Sequence, residues 1–335
     1  MRGANDRRVT DARHPTAGDA LARILRELVL RFDETEPAAL ANEPDGVHRH
    51  RSAVRGLRSA LAVFRRRFDA DAVDELRSRL DDWGASLGAV RDHEVAAAAL
   101  DALLEEALAD IAADVADETD ADAGGEAGAD VDARAGVDAS RSLRRLVEAE
   151  REAALEAHAR RVAGADPDRL GALHRALHAF AERPPFSPDA GEPAAALREA
   201  IEREARRVLR RARRMDGSLE SRHAVRKRAR RLDGAIAALL DAEAAADPGA
   251  SPDRALRKAG RAAHRIQRRL GRHRDAALVA QRVQDARDEA AREGEDLVIL
   301  DAALARARAA EQRRARALHG LRRRLRRAVR ALEER

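Results

Sequence analysis

The chain has 335 residues, of which 37% are charged, 44% hydrophobic and only 2% aromatic, with a net charge of +5 and a pI near 10.6. It is too apolar for a disordered chain and too poor in aromatic residues for a β-sandwich, and its Ala, Leu, Arg, Glu and Asp are residues of helices. The absence of cysteine excludes disulfides and thiolate metal sites. No apolar run approaches the roughly 18 residues of a membrane span, and MRGANDRRVTDARHPT lacks the hydrophobic region of a secretory signal. The expectation is an all-α protein of the cytoplasm.

Residues 1–16 read as a mobile tail. From Asp19, LARILRELVL has the period of an amphipathic helix. After the turn residues Asn42 to Gly46, a helix is predicted over 47–68, with Asp45 as its N-cap. Helices over 70–86 and 90–117 follow, separated near Gly84 and Gly88. The stretch 117–138, rich in Asp, Ala and Gly, reads as an acidic loop. A helix over 140–162 completes a first half, 17–163. Asp166 and Pro167 look like a cap and first turn, opening a helix to about 181, and RPPFSPDAGEP makes a Pro-rich break; 164–193 is thus a connecting helix and linker. The second half, 194–335, is predicted as helices over 194–214, 218–242, 252–270, 273–293 and 296–334, with Ser251-Pro252 as another cap and start.

The halves repeat. Counting from His48, apolar residues fall at Val54, Leu57, Leu61 and Phe64; counting from His223, the same offsets give Ala229, Leu232, Ile236 and Leu239. Arg51 and Arg55 recur as Arg226 and Arg230, and Leu87-Gly88…Arg91-Asp92 is echoed by Leu270-Gly271…Arg274-Asp275. The sequence therefore predicts an internal duplication, two four-helix-bundle-like halves related by a pseudo-two-fold axis.

Charge is unevenly placed. Residues 101–138 hold thirteen acids and one base, a local −12, so the remaining chain is near +17. Only Lys227 and Lys258 are lysines; a GC-rich genome accounts for much of that choice of arginine, but not for where the arginines sit. His48, Arg51, Arg55 and Arg58 share a helical stripe, as do His223, Arg226 and Arg230, flanked by Lys227 and Arg231. Arg203, Arg207, Arg210 and Arg214 line the preceding helix, and Arg323 and Arg327 the last one. Segments 254–274 and 313–330 each hold nine basic residues and no acid. A solvated face interleaves Glu with Arg at i, i+4; stripes lacking such acids repel one another unless something anionic lies between them. Arg suits phosphate through its two parallel donors.

No Tyr and one Trp leave little for base stacking, and no base-reading motif is present, so nucleic acid is a secondary expectation. P-loop, GxSxG, GxGxxG and HExxH signatures are absent, so no enzyme activity and no cofactor are expected. The acidic stretch 101–138 is chemically unpatterned and reads as a solubilising or self-shielding linker. His174 and His178 have the i, i+4 spacing of metal ligands but no third ligand is evident in the sequence, so no metal site is expected there.

The segment from Val47 to Arg58, VHRHRSAVRGLR, resembles the opening motif of the CHAD family, the conserved histidine α-helical domain, whose pattern is roughly H-x-x-R-[apolar]-x-x-R-R-L-R followed by L-G-x-x-R-D. His223, Arg226, Lys227, Arg230, Arg231 and Leu232 are similar to its second-half motif, and Leu270, Gly271, His273 and Asp275 to the partner of that motif. The resemblance spans about 19–334, with Ser52, Gly56 and Asp233 departing from the pattern. It implies a basic groove or central pore between the halves, non-catalytic binding of inorganic polyphosphate, and association with polyphosphate granules and their proteins. It also implies a stand-alone member, without the CYTH triphosphatase domain to which many relatives are fused. The basic stripes and the family motifs together give the expected binding residues His48, Arg51, Arg55, Arg58, Arg91, Arg203, Arg207, Arg210, Arg214, His223, Arg226, Lys227, Arg230, Arg231, His273, Arg323 and Arg327; orthophosphate or sulfate would occupy the same site. The alternatives are sequence-independent nucleic-acid binding and metal-dependent hydrolysis of polyphosphate or triphosphate.

Overall fold

The computed structural model describes residues 15–121, 126–163, 167–249, 251, 253–318 and 320–334, with only the backbone described for 110–121, 126–140, 162 and 167. Among them are ten α-helices and no β-strand: α1 (Ala17–Leu40), α2 (Gly46–Val63), α3 (Ala70–Ala121), α4 (Glu126–Ala163), α5 (Pro167–Glu182), α6 (Ala195–Arg213), α7 (Leu219–Ala246), α8 (Arg254–Glu293), α9 (Val298–Arg316) and α10 (Leu321–Glu333). The all-α expectation holds. The expected tail lies almost wholly outside the described residues.

Several predicted boundaries move. Gly84 and Gly88 do not break α3, and Gly271 does not break α8. A helix-interior glycine costs only about 1 kcal/mol relative to Ala, less than these long helices gain by packing. The expected acidic loop is helical over 117–121 and again from Glu126, where its alanines favour helix and no proline stops it. Conversely, the single helix predicted over 296–334 is divided between α9 and α10, where Gly320 takes a left-handed φ of 80°.

Two caps also differ. Asp45 adopts a left-handed φ of 58° and makes no side-chain cap. Asp253, not Ser251, caps α8, accepting from Ala255 N and Leu256 N. Thr16 and Asp19 form a reciprocal capping box at the start of α1.

Apolar side chains form two cores, and each draws on both halves of the chain. The larger gathers Leu21, Ile24 and Phe32 of α1, Leu57 and Leu61 of α2, Leu177 of α5, Leu197 and Ile201 of α6, Leu232 and Ile236 of α7, Ile266 of α8 and Leu325 of α10. The smaller joins the distal parts of α3 and α8 to α4 and α9 through Leu100, Leu143, Val283, Ile299 and Leu300. Burying each such side chain contributes about 1.5–3 kcal/mol. Leu100 and Val283, 183 positions apart like the two Leu-Gly motifs, are both fully buried there.

α2 crosses α7 closely. A Cβ on Gly234 would stand 2.7 Å from Ser59 Oγ and 2.8 Å from Ser59 Cβ, so only glycine permits the approach. Ser59 and Gly234 are separated by 175 positions, the spacing of His48 and His223. A two-fold axis would bring equivalent residues together where it passed, and the expected duplication calls for a contact of this spacing.

Among the described residues no helix is long and apolar enough to cross a membrane.

Candidate anion-binding cavity

The crossing of α2 and α7 places Arg51 and Arg55 opposite Arg226 and Arg230. Beside it opens a cavity of about 570 Å³, lined by His48, Arg51 and Arg55 of α2, Arg91 and Asp92 of α3, Arg226 of α7, and His264, Gln267, Arg268, Arg272, Arg274, Asp275 and Arg282 of α8. Eight arginines thus face two carboxylates. Asp92 accepts from Arg274 at 3.4 Å, and Arg282 is held by Glu150 at 3.0 Å.

The motif residues engage one another. Arg51 Nη1 donates to the carbonyls of Leu87 and Gly88, each at 3.1 Å. In the second half Arg226 lies against Gly271, where a Cβ would come within 3.3 Å of its Nε. Arg55 donates to Ser52 Oγ at 2.5 Å and to the carbonyl of Arg51 at 3.1 Å. Arg226 Nε is buried and has no hydrogen-bond partner, a donor left unsatisfied at the cavity wall.

Electrostatics follow from this crowding. Burial, before any neighbour, depresses the guanidinium pKa of Arg51, Arg55 and Arg226. Arg230 is pushed down to about 10 by burial and then by Arg226, Arg55, Arg58 and Arg51. All four remain cationic at neutral pH, so their charges repel one another across the α2–α7 crossing. An anion would relieve that repulsion. His48 is held below the usual histidine range by burial and by Arg91 and Arg55, and His223 by burial, Lys227 and Arg226. Asp275 is raised by burial, against the pull of Arg226 and Arg274.

Of the seventeen residues expected to bind, His48, Arg51, Arg55, Arg91 and Arg226 line this cavity. His223 and His273 line an adjoining one of about 380 Å³, which shares Arg226 and Arg274 with the first. His273 is buried, 2% exposed, and its Nε2 meets Arg222 at 2.6 Å. Arg230 lines a third hollow that shares His48 and Arg55.

The other nine stand elsewhere. Arg58 pairs with Asp81, Lys227 is exposed, and Arg231 turns toward Glu204. Arg203, Arg207 and Arg210 of α6 and Arg214, its C-cap, do not line the cavity, nor do the exposed Arg323 and Arg327 of α10. Helical geometry explains this. α6 meets α7 through Glu204 and Arg228, 3.3 Å apart, and Arg228 points about 200° around the helix from Arg226. α6 therefore packs on the side of α7 away from the cavity.

Sequence reasoning missed the α8 wall. His264, Arg268, Arg272, Asp275 and Arg282 form one stripe at helical spacing, within and just beyond the acid-free segment 254–274. The signal was present, but a break assumed at Gly271 concealed its continuity.

The CHAD domain family model matches residues 23–284. The chain belongs to the CHAD domain family. The matched stretch ends within α8, so α9 and α10 extend beyond it. Among solved structures, the CHAD domain from the plant Ricinus communis is similar with a TM-score of 0.57 and 23% identity, covering 93% of this chain and 92% of that one. PptA from Streptomyces chartreusis is similar with a TM-score of 0.55 and 22% identity, covering 90% of this chain and 99% of that one. No curated protein matches the sequence. The CHAD motifs read from the sequence all reach the cavity or its neighbour, through Arg51, Arg91, Arg226, Gly271 and His273.

Proposed function

We propose that this CHAD domain is a non-catalytic binder of inorganic polyphosphate, with successive phosphates held between α2, α3, α7 and α8. The observation that carries the reading is the buried, unpartnered Nε of Arg226 among the mutually repelling Arg51, Arg55 and Arg230. Each guanidinium can give a phosphate two parallel hydrogen bonds, and each phosphate neutralised releases counterions. Orthophosphate and sulfate would occupy the same donors more weakly, since they bridge fewer of them. Family membership supports the choice of polyphosphate, and a place in the cytoplasm on polyphosphate granules, beside their proteins, follows from it.

The alternatives are less well served. No Phe, Tyr or Trp is among the residues lining the cavity, so it lacks the large aromatic platforms on which a single-stranded nucleic acid stacks successive bases. Asp92 is engaged by Arg274, and Asp275 lies under the pull of Arg226 and Arg274, which favours binding over a metal-assisted attack on phosphate.

The test is a competition titration at about 150 mM salt, near physiological ionic strength. Labelled long-chain polyphosphate is challenged with tripolyphosphate, duplex DNA and single-stranded RNA, while phosphate release is followed with and without Mg²⁺ or Mn²⁺. Competition by long polyphosphate alone, with no release, is expected. Equal competition by DNA overturns the reading in favour of an unselective polycation, and metal-dependent release overturns its non-catalytic part.

A further inference from the structure

A second cluster lies on α1 and α5, and none of its residues lines the basic cavity. His174 and His178 stand one turn apart on α5 with their rings stacked, centroids 6.3 Å apart and planes 15° apart. Between them sits Asp33 of α1, with Oδ1 3.2 Å from His174 Nδ1 and Oδ2 3.1 Å from His178 Nε2. One donor atom from each of the three lies within 4.8 Å of the others. The sequence showed the histidine pair without a third ligand; the fold brings one from 141 positions upstream.

Two unsatisfied atoms say what is missing. Asp33 Oδ1 is buried without a hydrogen-bond partner, despite its nearness to His174 Nδ1. Glu36, 8% exposed, holds His174 Nε2 at 2.7 Å through Oε2, while its Oε1 is also buried and unpartnered. If Nε2–H donates to Glu36, the neutral ring turns the Nδ1 lone pair toward a carboxylate oxygen. Two acceptors facing each other repel unless a proton or a metal cation lies between them. Around a tetrahedral ion with ligand distances of about 2.0–2.2 Å, neighbouring donor atoms are roughly 3.3–3.6 Å apart; each histidine nitrogen is near that distance from an oxygen of Asp33, Oδ1 for His174 and Oδ2 for His178, and one donor atom from each residue lies within 4.8 Å of the others. A buried carboxylate that fixes the tautomer and orientation of a ligating histidine is the usual outer partner of such a site.

We propose that Asp33, His174 and His178 bind a divalent transition-metal cation of the zinc class, with Glu36 as a positioning residue for His174. Two imidazoles and one carboxylate favour Zn²⁺ or Co²⁺ over the all-oxygen preferences of Mg²⁺ and Ca²⁺. The half-exposed side of His178 leaves a coordination position open to water. The ion would clip α5, the connecting helix, onto α1.

The test uses the full chain, stripped with a chelator and kept free of polyphosphate, which itself binds metal. Zn²⁺ is titrated against a chromophoric competitor, Co²⁺ is followed by visible absorption, and melting is recorded with and without Zn²⁺. One saturable equivalent, the absorption of a four-coordinate Co²⁺ site and a raised melting temperature are expected. His178→Ala, a change at a half-exposed position, should remove the equivalent while preserving helical content. Glu36→Gln should weaken binding by about 10–100-fold. Failure of the wild-type chain to take up one equivalent overturns the proposal. So does an equivalent that survives His178→Ala, or an affinity unchanged in Asp33→Asn, which would reduce the site to a histidine pair on a helix surface.

Discussion

Ser59 on α2 and Gly234 on α7 touch where the two helices cross, 175 positions apart, the same separation as His48 and His223. The contact sets how near Arg51 and Arg55 come to Arg226 and Arg230. A methyl group on Gly234 would meet Ser59 Cβ at 2.8 Å, and a Cβ, unlike a hydroxyl, cannot rotate away. Gly234→Ala should gain about 1 kcal/mol of helix propensity and lose about 1–3 kcal/mol to overpacking, for net destabilisation. It should also loosen the arginine pairs and weaken polyphosphate binding. Adding Ser59→Gly removes the opposing atoms and should restore most of the lost stability. Denaturant melts of the two single variants and the double variant measure the coupling, and additivity would contradict the close approach.

Arg230 illustrates a trade between stability and binding. Burial and four neighbouring arginines oppose its charge, so the ligand-free protein should melt at a higher temperature as Arg230→Gln than as wild type. The same variant should bind polyphosphate about tenfold more weakly, the loss of one charge-assisted contact of about 1.5 kcal/mol. Paired thermal melts and binding titrations decide it. A fall in both quantities would mean that Arg230 is held by protein carboxylates rather than strained against its neighbours.

The stripes on α2 and α7 were legible because a helix displays its period in its own sequence, and Arg51, Arg55 and Arg226 reach the cavity as that period implies. What a stripe cannot show is which neighbour its helix faces. Arg207 and Arg210 carry the same pattern as Arg226, yet α6 packs on the far side of α7 through Glu204. The glycines misled for a related reason. Gly88 reads locally as a helix breaker, but in the fold it is a position on α3 whose carbonyl accepts from Arg51, and the helix runs on through it. Asp33 and His174 could be paired only by tertiary structure.

His48 and His223 should make binding pH-dependent. Burial and adjacent cations hold both below the usual histidine range in the free protein. A bound polyanion reverses the sign of the local field and raises them, so the complex takes up protons. Affinity should therefore increase as pH falls from about 8 toward 6, across the ordinary histidine range. Calorimetry in two buffers of different ionisation enthalpy reports the uptake directly. Replacing His48 and His223 together with Gln should flatten the profile; a slope that persists would assign the protons elsewhere.

The cavity and the wider arginine surface can be separated by reversing charges on each. Arg272 lies on the cavity wall and is exposed, so Arg272→Glu can be made without unpacking the core. Arg210 and Arg323 are equally exposed, but on α6 and α10 and off the wall. If the α2–α8 cavity holds the phosphates, Arg272→Glu should cut affinity about tenfold or more, and should lower the slope of log K against log salt by about one for the lost phosphate contact. Arg210→Glu and Arg323→Glu should act only through the screened long-range field, a change within about threefold at a Debye length near 8 Å. Titrations at several salt concentrations read both quantities. Equal losses from all three reversals would spread binding over the whole basic surface and leave the cavity no special part in it.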